Sequence, residues 1–96
     1  MTTMRKPLKN ARTRIRGKGW SKVTSISTDK YETISRAILL SLRKAPITFS
    51  ELGGRVTTRA QGFTGSIPWY TITCLRELEV RGRVIRRKAP VLYSLR

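Results

Sequence analysis

The stretch LRELEVRGRVIRR, Leu75 to Arg87, changes its periodicity at a single glycine. Before Gly82, Leu75 and Leu78 share one helical face with the upstream Ile72, at about 100° per residue. After it, Val84-Ile85 opens a short β-branched run. A helix that stops at glycine and passes at once into a strand is the point from which the rest of the chain is read. Upstream, Ser66 carries a hydroxyl able to cap a helix and Pro68 suits a first turn, so this helix is predicted over about 67–81. Downstream, Lys88-Ala89-Pro90 joins Val84–Arg87 to Val91–Leu95 as a hairpin, since proline suits a turn and not a central strand.

Two more helices precede this pair. Thr48-Phe49-Ser50-Glu51 has the T-x-x-E form of a capping box, with Ile47 before the cap and Leu52 at the fourth helical position as a hydrophobic staple. It predicts a short helix over about 49–59, with Phe49, Leu52 and Val56 as its apolar stripe. Gly53-Gly54 weakens that helix and offers a place for another helix to approach closely. Asp29-Lys30-Tyr31-Glu32 gives a D-x-x-E start, and Tyr31, Ile34, Ile38 and Leu42 follow at helical spacing, so the first helix is predicted over about 29–44, closed by Pro46. Its polar positions include Glu32, Arg36 and Arg43. Lys22 to Ser27, KVTSIS, has the alternation of a short strand.

The order is helix, helix, helix, hairpin. With Leu75 to Arg87, it resembles the winged-helix branch of the helix-turn-helix proteins, in which L-x-x-L-E-x-x-G leads into an apolar strand. The longer pattern from Gly65 to Gly82, GS-x-x-WY-x-x-x-x-L-x-x-LE-x-x-G, is similar to a small family of uncharacterised prokaryotic winged-helix proteins. The likeness runs from about Val23 to Arg96. It implies a mainly α (α+β) fold, a three-helix winged helix with a short C-terminal β-hairpin wing, and nucleic-acid binding through the third helix.

Charge points the same way. The 96 residues carry 21 Lys and Arg against 5 acids and no His, a net charge of +16. Arg5, Lys6, Lys9, Arg12, Arg14, Arg16 and Lys18 all precede the first acid, Asp29. Like charges at that density repel, and few apolar residues offset the ordering entropy, so residues 1–20 read as a disordered basic tail and 21–96 as the winged-helix domain. Trp20 is the first large apolar group able to dock that tail. Nucleic acid is the commonest polyanion in a cell, and neutralising its phosphates releases counterions.

Three groups of residues carry the expected contacts. Ser66, Tyr70 and Thr73 fall with Glu77 on the helical face opposite Ile72, Leu75 and Leu78. The resemblance would place their hydroxyls at a major groove, with Trp69 between the two faces. Arg81, Arg83, Arg86, Arg87 and Lys88 form a wing cluster suited to flanking phosphates. Arg12, Arg14, Arg16 and Lys18 read as a flexible arm. The third helix holds few cations, which favours backbone-dominated, weakly specific binding. Glu79 lies near the buried face and is expected to pair with an arginine of the wing or of the second helix, such as Arg55.

Other classes fall away. A lone cysteine, Cys74, permits no intrachain disulfide, and without His it builds no usual zinc site, so it reads as a small apolar core residue. No His-based triad and no phosphate-loop G-K-[ST] exist, so no enzyme and no cofactor are expected. The longest aliphatic run, Ala37-Ile38-Leu39-Leu40, is far short of the ~20 residues a bilayer needs, and no membrane partner is expected. The expectation is a cytoplasmic protein, nucleoid-associated if it binds DNA, acting as a transcriptional regulator or chromatin-like accessory. DNA ranks ahead of RNA. An RNA- or ribosome-associated protein and a protein-interaction winged helix are the rivals. The first helix, Val23–Ile26 and the tail are the surfaces left for a homodimer.

Overall fold

The computed structural model describes residues 11–17, 24–88 and 90–96. In chain order they form β1 (Arg12–Ile15), β2 (Thr24–Ser27), α1 (Thr28–Ser41), α2 (Phe49–Arg59), α3 (Ile67–Val80), β3 (Val84–Arg87) and β4 (Leu92–Leu95). The architecture is α+β, with three helices around one core and two antiparallel hairpins, β1–β2 and β3–β4. Ile34 and Ile38 of α1, Leu52 and Val56 of α2, and Cys74, Leu75 and Leu78 of α3 meet in that core. Each large aliphatic side chain buried there is worth about 1.5–3 kcal/mol.

The capping box sets α2 as predicted. The Glu51 N–H donates to Thr48 Oγ1 at 3.1 Å, and the Thr48 N–H donates to Glu51 Oε1 at 3.1 Å. The glycine pair opens no close approach, because a Cβ at Gly53 or Gly54 would meet nothing within 4 Å. At α3 the Trp69 N–H donates to Ser66 Oγ at 3.3 Å. The helix ends in a Schellman turn: Gly82 has φ +75°, its N–H reaches Glu79 O at 3.1 Å, and the Arg83 N–H reaches Leu78 O at 2.9 Å. Just before α3, Gly65 has φ +124°, and a Cβ there would lie 2.9 Å from the Tyr70 ring.

α1 differs from its expected bounds at both ends. It begins one residue early, with no side-chain cap at Ser27, because β2 runs straight into it. β1 and the residue before it supply what a cap would: the Thr28 N–H donates to Ala11 O at 3.0 Å, and the Thr13 and Thr28 hydroxyls lie 2.8 Å apart. The helix ends at Ser41 rather than near Lys44. The chain then carries Ile47 to Tyr93, where two main-chain bonds of 3.0 and 2.8 Å tie the α1–α2 connection to β4.

The largest correction concerns the tail. Residues 12–15 are a strand of the fold, in register with β2 from Arg12↔Ser27 to Ile15↔Thr24. Arg12 and Arg14 face solvent while Ile15 is 0 % exposed and part of the core. One buried isoleucine and a hydrogen-bonded partner strand offset the charge repulsion that suggested disorder. Residues 1–10, Lys18 and the proposed docking of Trp20 lie outside the described residues.

Candidate nucleic-acid interface

α3 is enclosed on almost every side. From Tyr70 to Val80 no residue is fully exposed, and Thr71, Thr73, Cys74, Leu75, Glu77, Leu78 and Glu79 are buried. The face expected to be open is therefore closed. Thr73 is 1 % exposed, Tyr70 is half-buried against the Phe63 ring, and the Ser66 hydroxyl is spent on the helix cap. Hairpin β1–β2 closes the Glu77 end of this face, since β1 packs against α3 and delivers Arg16 to Glu77. The expected solvent face turned out to be a second packing face. Trp69 stands 48 % exposed at the start of the helix, and Ile72, expected inward, is half-buried.

Two buried carboxylates hold α3 between the hairpins. Glu77 Oε2 accepts from Arg16 Nη2 at 2.6 Å, Arg16 Nε at 3.1 Å and Arg81 Nε at 2.9 Å, while its Oε1 accepts from the Arg16 main-chain N–H at 2.7 Å. Burial alone would raise this carboxyl, but the hydrogen bonds from Arg16 and Arg81 outweigh it and hold the group below the usual carboxylate range. The same hydrogen bond raises Arg16. Glu79 accepts from Arg76 Nη1 at 2.9 Å and lies 3.5 Å from Arg86 Nε. It thus finds a wing arginine as expected, while Arg55 instead donates to Ser41 O at 3.3 Å. Burial pushes the Cys74 thiol up to about 12, consistent with a packing role.

The wing cations do not act as one cluster. Arg81 stacks 4.9 Å from the Tyr31 ring and pairs with Glu77, and Arg86 turns inward to Glu79. Arg83, Arg87 and Lys88 remain exposed. Strand alternation places Arg86 and Arg87 on opposite faces of β3, so no single flat clamp forms.

A different set of cations comes together. A groove of about 590 Å³ between β1 and the end of α3 is lined by Arg12, Thr13, Arg14, Arg16, Glu77 and Arg81. It meets at Arg81 a groove of about 660 Å³ whose walls include Arg36, Arg43 and Arg83. That groove in turn shares Leu40 and Arg43 with one of about 400 Å³ lined by Lys44, Arg55 and Arg59. Adjoining through these shared residues, the three make a cationic belt from hairpin β1–β2, across α1, to α2, in which Arg16 and Arg81 are already paired with Glu77. Asp29 and Glu32 temper one flank, where they line a groove of about 470 Å³ with Arg36 and Arg59. The sequence assigned Arg36, Arg43, Lys44 and Arg59 no part in binding, and offered Arg55 only as a partner for Glu79. In the helix predicted over about 29–44, Arg36 and Arg43, seven apart, would share a face; in the structure Arg43 lies just past the end of α1 at Ser41 and still lines the same groove as Arg36. Their meeting with Arg81 and with α2 depends on the tertiary fold.

Among the described residues no group of three His, Cys, Asp or Glu could hold a metal ion, and no helix is long and apolar enough to cross a membrane.

The chain belongs to DUF6958, a family of unknown function, whose model matches residues 13–92. The match begins inside β1, so all of hairpin β1–β2 but Arg12 falls within the shared region. No curated protein matches the chain. No solved structure matches it.

Proposed function

For a member of DUF6958 the surface has to carry the reading, and we propose that this protein binds duplex DNA mainly through its phosphates, as a winged-helix protein. The observation that carries it is the belt joined at Arg81 and Arg43. Arginines spaced along adjoining grooves suit a phosphate backbone, and the net charge of +16 supplies long-range attraction. The winged-helix arrangement is supported by the element order and by the Ile47–Tyr93 bridge, which links the α1–α2 connection to the C-terminal hairpin.

The reading assigns α3 no base contacts along its length, because Thr73 and Glu77 are buried. Binding is then weakly specific and strongly salt-dependent, as expected when phosphate contacts dominate. This suits a regulator or a chromatin-like accessory better than a narrow sequence reader.

The test is fluorescence anisotropy of a labelled duplex titrated with the full chain at several salt concentrations. If about six phosphates are neutralised, log K against log[salt] falls with a slope near −5. A slope near zero overturns the electrostatic premise. Tighter binding to structured RNA than to duplex in competition overturns the choice of DNA.

A further inference from the structure

The central groove of the belt has an unusual floor for a phosphate track. Tyr31, Ser35 and Leu78 are buried at its base, and Leu39 and Leu40 stand half-buried along the α1 wall. Leu95, 37 % exposed, lines it from β4. Ser35 Oγ, beside Tyr31 and Cys74, makes no hydrogen bond of good geometry. Arg36, Arg43 and Arg83 are exposed among its lining residues and form no ion pair among the described residues, and Glu32 is the one acid there. A sugar–phosphate backbone gains little from a leucine wall. A ligand with both a hydrocarbon chain and a negative head uses every part of the groove, since apolar walls with a few placed charges are the pattern of small-molecule sites.

We propose that this groove binds a single-chain anionic amphiphile, a medium- to long-chain carboxylate in free form. The chain lies along Leu39, Leu40 and Leu95, where leaving water is favourable. The carboxylate sits among the rim arginines, whose forked guanidiniums match two carboxylate oxygens. The excess of arginine over the single glutamate selects an anion over a neutral lipid. The inference stands apart from the DNA reading, because it concerns the protein without nucleic acid. Its consequence is that carboxylate and duplex compete for Arg36 and Arg43.

Isothermal titration of the full chain with dodecanoate, below the concentration at which it forms micelles and without nucleic acid, tests this. The expected result is saturable binding of one molecule per chain, with butanoate at least about tenfold weaker because it lacks the buried chain. Dodecyl maltoside, apolar but uncharged, binds no better than butanoate. Arg43→Ala weakens dodecanoate about tenfold through the lost charge-assisted contact, and Arg87→Ala, outside the groove, leaves it unchanged. On the wild type, the methyl resonances of Leu39, Leu40 and Leu95 shift on titration, which tests the chain position with no substitution. Equal affinity for butanoate and dodecanoate overturns the proposal. So does an equal loss from Arg87→Ala and Arg43→Ala, unmoved leucine methyls, or binding to phosphatidylglycerol vesicles with none to monomeric dodecanoate.

Discussion

The two hairpins are tied to α3 by the same device and held with different strength. Each brings an arginine to a buried glutamate of that helix, Arg16 to Glu77 and Arg86 to Glu79, and each glutamate takes a second arginine from α3 or its C-terminal cap, Arg81 or Arg76. Two residues apart, at about 100° each, the carboxylates project from nearly opposite flanks of the helix. At Glu77 the hairpin's arginine binds through its side chain and its main-chain N–H, and Ile15 beside it enters the core. At Glu79 the hairpin contributes only the 3.5 Å approach of Arg86. At its carboxylate, then, the segment richest in unbroken positive charge is the more firmly held, while β3–β4 relies on Val84 and Tyr93 in the core and on the Ile47–Tyr93 bonds. A charge run reads as a solvated tail only until the acid that receives it is located.

Truncating Ile15 is the severest way to break that comparison. Ile15→Ala removes a fully buried side chain and costs about 3 kcal/mol in urea unfolding, with the midpoint moved and the slope unchanged. A loss under about 0.5 kcal/mol, the range of surface substitutions, would return β1 to the status of a tail.

Glu77→Gln comes next. It keeps the shape but removes the charge from several hydrogen bonds, while the part-exposed Arg16 and Arg81 return to water, so the loss is about 2 kcal/mol. The pH dependence carries the same sign. The folded-state carboxyl is held below its unfolded value, so its contribution is fully present above the unfolded pKa of about 4.3 and fades as pH falls through the folded value. In acid titrations followed by circular dichroism, Glu77→Gln therefore converges on the wild type as pH drops below about 4. A constant gap at all pH values would mean that Glu77 acts through packing alone.

Glu79→Gln sharpens the contrast from the other side. With one firm partner in Arg76 and a longer contact to Arg86, it costs about 1 kcal/mol. A loss matching that of Glu77→Gln would make the hairpins equivalent.

How far the sequence carried these features follows from how local each one is. Thr48 and Glu51 fixed the start of α2, Ser66 and Gly82 bracketed α3, and the period change after Gly82 placed β3, because caps and turns act within a few residues. β1 was missed although Arg12-Thr13-Arg14-Ile15 alternates with period two. The acid that relieves repulsion among its arginines, Glu77, lies 61 residues from Arg16 and is not visible locally. The outward face assigned to Tyr70, Thr73 and Glu77 failed for the same reason, since helical angles say which residues share a face and not what covers it. The belt was legible only in part. A helix reaching Lys44 would give Arg36 and Arg43 a common face, but α1 stops at Ser41, and the junction of these arginines with Arg81 and with Arg55 and Arg59 is made by the tertiary packing of α1 on α3 and α2.

The belt is tested most directly by comparing salt slopes for duplex binding between two double variants. Arg43→Ala with Arg59→Ala removes two belt cations, and Arg87→Ala with Lys88→Ala removes two from the far end of hairpin β3–β4. At about 0.9 per phosphate contact, the belt variant should show a slope shallower by nearly 2 and the hairpin variant an unchanged one. The reverse outcome, a slope lost at Arg87 and Lys88 and kept without Arg43 and Arg59, would contradict the account.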